Sequence, residues 1–139
     1  MNKLKKVLIM VITMALVSFT FLITACSSDE EEISIKSDWE FSCVITSEST
    51  IDKTKWNLMN AVDPSNSIAY PTFNSDDGEH CVLQYYNKDH EGILEQQDDG
   101  SYEISDPDSG KVWGHVTIEG ETMRLVLGDN VGTIEFVLK

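Results

Sequence analysis

Short runs of alternating apolar and polar residues follow one another from about residue 33 to residue 139. Successive side chains of a β-strand point to opposite faces, so each run predicts a strand with one buried and one wet face. The first run places four side chains on its predicted inner face: Trp39, Phe41, Cys43 and Ile45. The pattern therefore favours an all-β fold.

Turn residues separate the runs, as in Asp76-Asp77-Gly78 and Asp98-Asp99-Gly100. The later runs are 68–74, 79–87, 92–97, 101–105, 111–119, 122–127 and 133–139. About eight short strands at hairpin spacing predict an up-and-down antiparallel sheet that closes into a barrel. Closure would remove the two exposed edges of the sheet.

One segment departs from the strand pattern. Ile51, Lys55, Met59 and Val62 recur at helical spacing, and Thr50 or Asp52 is suitable as the N-cap. A strand remains open as an alternative, since four residues also alternate: Trp56, Leu58, Asn60 and Val62. The spacing favours one short helix near residues 51–62, at one end of the barrel.

The first 25 residues form a separate unit. A start with three lysines is followed by an uncharged apolar run over 7–25, which is typical of a signal peptide or a membrane-spanning helix. The run ends in Ile23-Thr24-Ala25-Cys26, which resembles the lipobox of bacterial lipoproteins. The resemblance implies cleavage after residue 25 and a lipid on the Cys26 thiol. An uncleaved signal anchor is the alternative.

Residues 26–36 are predicted to be an acidic, flexible tether, because Cys26–Glu32 contains four acids and no apolar residue after the cysteine. The tether places the domain of residues 37–139 on the cell envelope, facing the periplasm or the cell exterior. An acidic run after the lipidated cysteine also resembles the surface-export signal of lipoproteins in some diderm bacteria. This resemblance implies the outer-membrane surface.

The net charge restricts the partners. The whole chain carries a formal charge of −14, and without the three lysines of residues 1–25 the remainder carries −17. Such a surface repels nucleic acid and anionic lipid, so we expect neither as a partner of the folded part. The charge also discourages self-association, which predicts a monomeric domain.

Several strand-turn-strand segments resemble the small lipocalin-like domains of many bacterial lipoproteins. The segments are Asp38–Phe41, Thr72–Gly78, Asp99–Ile104, Thr117–Leu125 and Gly132–Phe136. The resemblance spans 37–139 and implies a calycin-type barrel, although Asp38 stands where the family usually has glycine. It also implies a ligand at the barrel mouth, with candidate lining residues Trp39, Tyr70, Tyr85 and Tyr102. The many large inward residues favour a filled interior over an open one.

Two cysteines remain besides Cys26. Cys43 and Cys81 are a candidate disulfide, because an exported protein can keep one. Two buried free thiols are the favoured alternative.

No chemical motif emerges. His80, His90 and His115 do not converge, and His80 and Cys81 point to opposite faces of one strand, so we expect no metal site. The run Asp106-x-Asp108-x-Gly110 lacks the later ligands of a calcium loop. Catalytic signatures are absent as well, so we expect neither an enzyme nor a cofactor.

The sequence thus predicts a non-enzymatic, lipid-anchored envelope lipoprotein whose β domain contacts another envelope component or a secreted protein. Candidate contact residues are the aromatic side chains of Trp113, Tyr86 and Trp56. The alternative is the binding of a small hydrophobic ligand in a lipocalin-like barrel.

Overall fold

The structure is a computed structural model, and it describes residues 32–128 and 132–139. The predicted signal peptide with Ile23, Thr24 and Ala25, the lipid site Cys26 and most of the tether lie outside the described residues. Within the described part of the chain, no helix has the length and apolar character that crossing a bilayer requires.

The described chain forms one sheet with one short α-helix. The elements are β1 (Trp39–Ile45), β2 (Thr50–Asp52), α1 (Lys53–Val62), a 3₁₀ turn (Pro64–Asn66), β3 (Thr72–Asn74), β4 (His80–Tyr85), β5 (Lys88–Gln96), β6 (Tyr102–Ser105), β7 (Val112–Glu119), β8 (Thr122–Leu127) and β9 (Gly132–Leu138). The strand order is β2-β1-β9-β8-β7-β6-β5-β4-β3, and every neighbouring pair is antiparallel. The predicted antiparallel all-β fold is confirmed.

Two details of the prediction are different in the structure. The described residues contain nine strands rather than about eight, and the sheet curls into a half-barrel with β2 and β3 as its edges. Each edge strand has only three residues, which leaves little backbone for edge-to-edge pairing. The gap between β1 and β3 is bridged by side chains, since Tyr70 stacks on Phe41 with ring centroids 5.5 Å apart.

A β-bulge changes the inner face of β1. Phe41 pairs with Phe136 and Cys43 pairs with Glu135, so Ser42 is an extra residue in the ladder. Beyond the bulge Val44 is buried, whereas Cys43 is half-buried and Ile45 is exposed. The prediction that Cys43 and Ile45 share the inner face is therefore wrong.

The predicted helix is confirmed, and it begins at Lys53. Residues 50–52 pair with β1 instead, and the Asp52 side chain caps the helix by accepting a hydrogen bond from Lys55 N at 2.9 Å. Trp56 anchors the helix, because its buried ring packs edge-on against Phe41 and its Nε1 donates to Ile68 O at 2.8 Å.

The inner face of the sheet is packed with large side chains. Its most deeply buried members are Leu83, Ile104, Val116, Met123, Leu125, Ile134 and Phe136. Ile35 is buried in the same cluster, so the packed body includes a residue that the sequence analysis assigned to the tether. Trp39 is also buried, at 4% exposure, and its Nε1 has no hydrogen-bond partner among the described residues.

Candidate functional site

The open end of the curled sheet contains a cleft of about 710 Å³, which we call the Trp113 cleft. It lies where β4 and β8 end and where β5 and β7 begin, beside the turn that joins β6 to β7. Its apolar wall comprises Leu83, Tyr85, Val112, Trp113 and Leu127. Its rim contains Asp89, Glu91, Asp106, Asp108 and Lys111. The volume lies in the range of small-molecule sites.

A second bulge directs Trp113 into the cleft. Ile104 pairs with Gly114 and Ser105 pairs with Val112, which leaves Trp113 as the extra residue of β7. An extra residue re-aims its side chain, and bulges are frequent beside binding sites for this reason. Simple alternation along residues 111–119 predicts the wet face for Trp113, and this prediction is wrong because the bulge breaks the alternation.

Gly92 provides the space for the indole. A Cβ at residue 92 would lie 3.0 Å from Cζ2 of Trp113 and would collide with Cγ2 of Ile104. Gly92 pairs with Cys81, whose side chain faces the core, so the glycine lies on the inner face of β5. The missing side chain lets the aromatic ring lie against the strand.

His90 completes the aromatic part of the cleft. It lies on β5 directly opposite Leu83, and residues paired in this way project from the same face of a sheet. Its ring centroid is 6.2 Å from that of Trp113. The polar residues around His90 predict a loop between the runs 79–87 and 92–97, and this prediction is wrong because β5 already begins at Lys88. Tyr86 and Asn87 both adopt positive φ in a tight turn, which allows β5 to begin at Lys88.

Of the four predicted lining residues, Tyr85 lines this cleft. Burial raises the pKa of its phenol to about 12, so the hydroxyl stays protonated at neutral pH. Trp39 and Tyr102 lie at the starts of β1 and β6, at the opposite end of the sheet. Tyr70 packs on Phe41 and donates its hydroxyl hydrogen bond to Asn57 Oδ1 at 2.6 Å.

The predicted contact aromatics have three different surroundings. Trp56 is buried under the helix, Trp113 lines the cleft, and Tyr86 is half-exposed beside Tyr85. The exposed apolar surface of the helix consists instead of Leu58, Met59 and Val62.

A smaller depression of about 380 Å³ adjoins the cleft, with which it shares Glu91 and Pro107. Beside it, ligand atoms of Asp77, Glu79 and His80 lie within 4.8 Å of one another, all on exposed side chains. The Asp77 carboxylate already accepts hydrogen bonds from the backbone N–H groups of Glu79 and His80. It also accepts one from His80 Nδ1 at 2.8 Å. The three side chains therefore lie close together because Asp77 stabilises the turn between β3 and β4.

The same bonds shift both pKa values. The hydrogen bond to the His80 ring holds the pKa of Asp77 well below its usual range, and the Asp77 carboxylate raises the pKa of His80.

Cys43 and Cys81 are both free thiols. Cys81 is buried on the inner face of β4, and burial raises the pKa of its thiol to about 12. Cys43 is half-buried on β1, where partial burial and the neighbouring Glu135 raise its pKa. Neither thiol has the depressed pKa of a reactive nucleophile.

Comparison with known proteins adds no relative: the chain matches no protein-family model, no curated protein and no solved structure.

Proposed function

We propose that this protein is a non-enzymatic binding module that holds a small ligand with an apolar part in the Trp113 cleft. In this proposal a lipid on Cys26 anchors the module to the cell envelope, and the curled sheet acts as a lipocalin-like container that opens at one end. The volume of the Trp113 cleft and its apolar wall support the proposal.

The placement of Trp113 is the observation that carries it. A bulge turns the indole inward, and a glycine on the neighbouring strand leaves space for it. Leu83 lines the same cleft and is only 1% exposed, so it contributes an apolar floor. An aromatic wall over an apolar floor would bury the apolar part of a ligand and stabilise the complex by about 25 cal/mol per Å² of buried area.

Calorimetric titration of the full chain in nanodiscs with 3-phenylpropan-1-ol, a neutral and water-soluble probe, tests the proposal. We expect saturable binding that Trp113→Ala weakens at least about tenfold, because an aromatic contact and its buried area are lost. Val126→Ala is the matched control, since Val126 is exposed on the opposite face of β8. Equal affinity of the wild type and Trp113→Ala would contradict the proposal.

A protein partner is a second candidate function, and the outer surface of α1 favours it. Leu58 and Val62 are 65% and 80% exposed one helical turn apart, with Met59 beside them. Apolar side chains grouped in this way are typical of contact sites. Cross-linking in intact envelopes should then give an adduct that Leu58→Lys abolishes and that Lys111→Ala, on the cleft rim, leaves unchanged.

A further inference from the structure

We infer that the Trp113 cleft binds an organic cation, a small molecule that carries an ammonium group on an apolar body. The inference rests on the proposed function and adds the charge of the ligand to it. It follows from the combination of an apolar aromatic wall with an uncompensated acidic rim.

The rim carries a surplus of negative charge. Two acidic residues of the turn between β6 and β7, Asp106 and Asp108, line the cleft, against the single ammonium group of Lys111. Asp89 and Glu91 lie at its edge, but they pair with Gln84 and Val82, so their side chains project from the outer face of β5. No salt bridge within residues 32–128 and 132–139 engages Asp106 or Asp108. The negative charge of the rim is therefore available to a ligand, and the strongly acidic chain steers cations towards it.

Asp106 is the carboxylate with the best-defined geometry. The backbone N–H groups of Asp108 and Ser109 both donate to its Oδ1 at 2.8 Å, which fixes the side chain at the cleft. The same hydrogen bonds lower the pKa of Asp106, so the group is ionised at neutral pH. Because both bonds use Oδ1, the Oδ2 atom retains its lone pairs for a charged donor.

The aromatic wall favours the same ligand charge. The face of an indole attracts an ammonium group, and Trp113 lines the same cleft as Asp106 and Asp108. An anionic amphiphile would place its head group against the carboxylates of Asp106 and Asp108 and a single lysine. A metal ion would use the oxygen ligands and leave the apolar wall empty, so an organic cation uses the whole surface.

Three probes with one phenylpropyl body test the ligand charge: 3-phenylpropylammonium, 3-phenylpropan-1-ol and 3-phenylpropionate. Each is titrated into the full chain in nanodiscs of zwitterionic lipid, and the indole N–H signals of the three tryptophans are followed by NMR. We expect the Trp113 signal to move and the signals of Trp39 and Trp56 to stay. The ammonium probe should bind at least about tenfold more tightly than the alcohol, and the carboxylate most weakly.

Asp106→Asn provides the decisive comparison, because asparagine can accept the same two backbone hydrogen bonds without the charge. The substitution should weaken binding of the ammonium probe severalfold and leave the affinity for the alcohol unchanged. Asp98→Asn removes one charge from an exposed turn outside the cleft and should change neither affinity. Equal binding of ammonium and alcohol would overturn the cation inference and leave the proposed function intact. If no probe moves the Trp113 signal, both proposals fail.

Discussion

The indole of Trp113 lies against the backbone of Gly92, where a Cβ at residue 92 would be only 3.0 Å from Cζ2 of the ring. The same Cβ would collide with Ile104, which is fully buried. Gly92→Ala should therefore lower the free energy of unfolding by about 1–3 kcal/mol, the usual cost of overpacking. It should also displace the indole, which intrinsic fluorescence reports.

Gly128→Ala is the matched control for that measurement. Gly128 also lines the cleft, but a Cβ there would be in ordinary contact, 3.5 Å from Trp113 O. Chemical unfolding should show little change for this variant. Equal costs for both substitutions would mean that Gly92 has no particular role in seating the ring.

The sequence was sufficient to predict most of the fold for a local physical reason. Alternation with a period of two follows from strand geometry, and β4 shows this clearly, with Cys81 and Leu83 buried and His80 and Val82 exposed. The helix was likewise marked by Asp52, whose side chain can satisfy an N–H group of the first turn in any context.

The bulges at Ser42 and Trp113 could not be predicted in this way. A bulge is defined by the partner strand, because it depends on which residue of one strand faces which residue of the other. Trp113 changes faces because Val112 and Gly114 pair with neighbouring residues of β6 and leave it as the extra residue, so alternation within β7 alone gives the wrong side. The site was missed for this reason, and the glycine opposite the ring was its one sequence signal.

The two buried tryptophans are predicted to respond differently to loss of the indole N–H. Trp56 Nε1 donates to Ile68 O, whereas Trp39 Nε1 has no partner among the described residues. Trp39→Phe removes an unpaired donor, and Trp56→Phe removes a hydrogen bond, for the same loss of volume. Trp39→Phe should therefore lower the free energy of unfolding, measured in urea, by about 1–2 kcal/mol less than Trp56→Phe does. Equal costs would mean that another group satisfies the Trp39 indole.

The cap of α1 should contribute measurably to stability. Asp52 Oδ1 accepts a hydrogen bond from Lys55 N at 2.9 Å, and Asp52→Ala would leave that N–H without its partner. We expect a loss of about 0.5–2 kcal/mol in the free energy of unfolding. Asp52→Asn keeps the acceptor and should cost far less, since asparagine is an equally good N-cap. A similar loss of stability in both variants would mean that the charge of Asp52, and not the capping hydrogen bond, stabilises the helix.

The ion pair between Asp77 and His80 should make stability depend on pH in two directions. The pKa of His80 is raised on folding, so its contribution is full below about pH 6.5 and is lost as pH rises through the higher folded value. The pKa of Asp77 is lowered, so its contribution is present above about pH 3.9 and is lost as pH falls through the lower folded value. The pair should stabilise the hairpin most between these limits.

An NMR titration of the His80 ring measures this effect directly. In the wild type the midpoint should lie above the ordinary histidine value, and Asp77→Asn should move it down towards that value. Asp76→Asn removes a neighbouring charge and keeps the hydrogen-bonded partner, so the midpoint should shift much less. An unchanged midpoint in Asp77→Asn would show that the pair does not form.

The thiols of Cys43 and Cys81 should differ in reactivity. Cys81 is buried with a pKa of about 12, so almost none of it is thiolate at pH 8, whereas Cys43 is half-buried at the β1 bulge. Brief treatment of the folded full chain with iodoacetamide, followed by peptide mapping, should modify Cys43 first and leave Cys81 nearly untouched. Both should react in denaturant without reductant, because both are free. Alkylation of neither residue until reductant is added would instead show a disulfide between them, and alkylation of Cys81 ahead of Cys43 would contradict its burial.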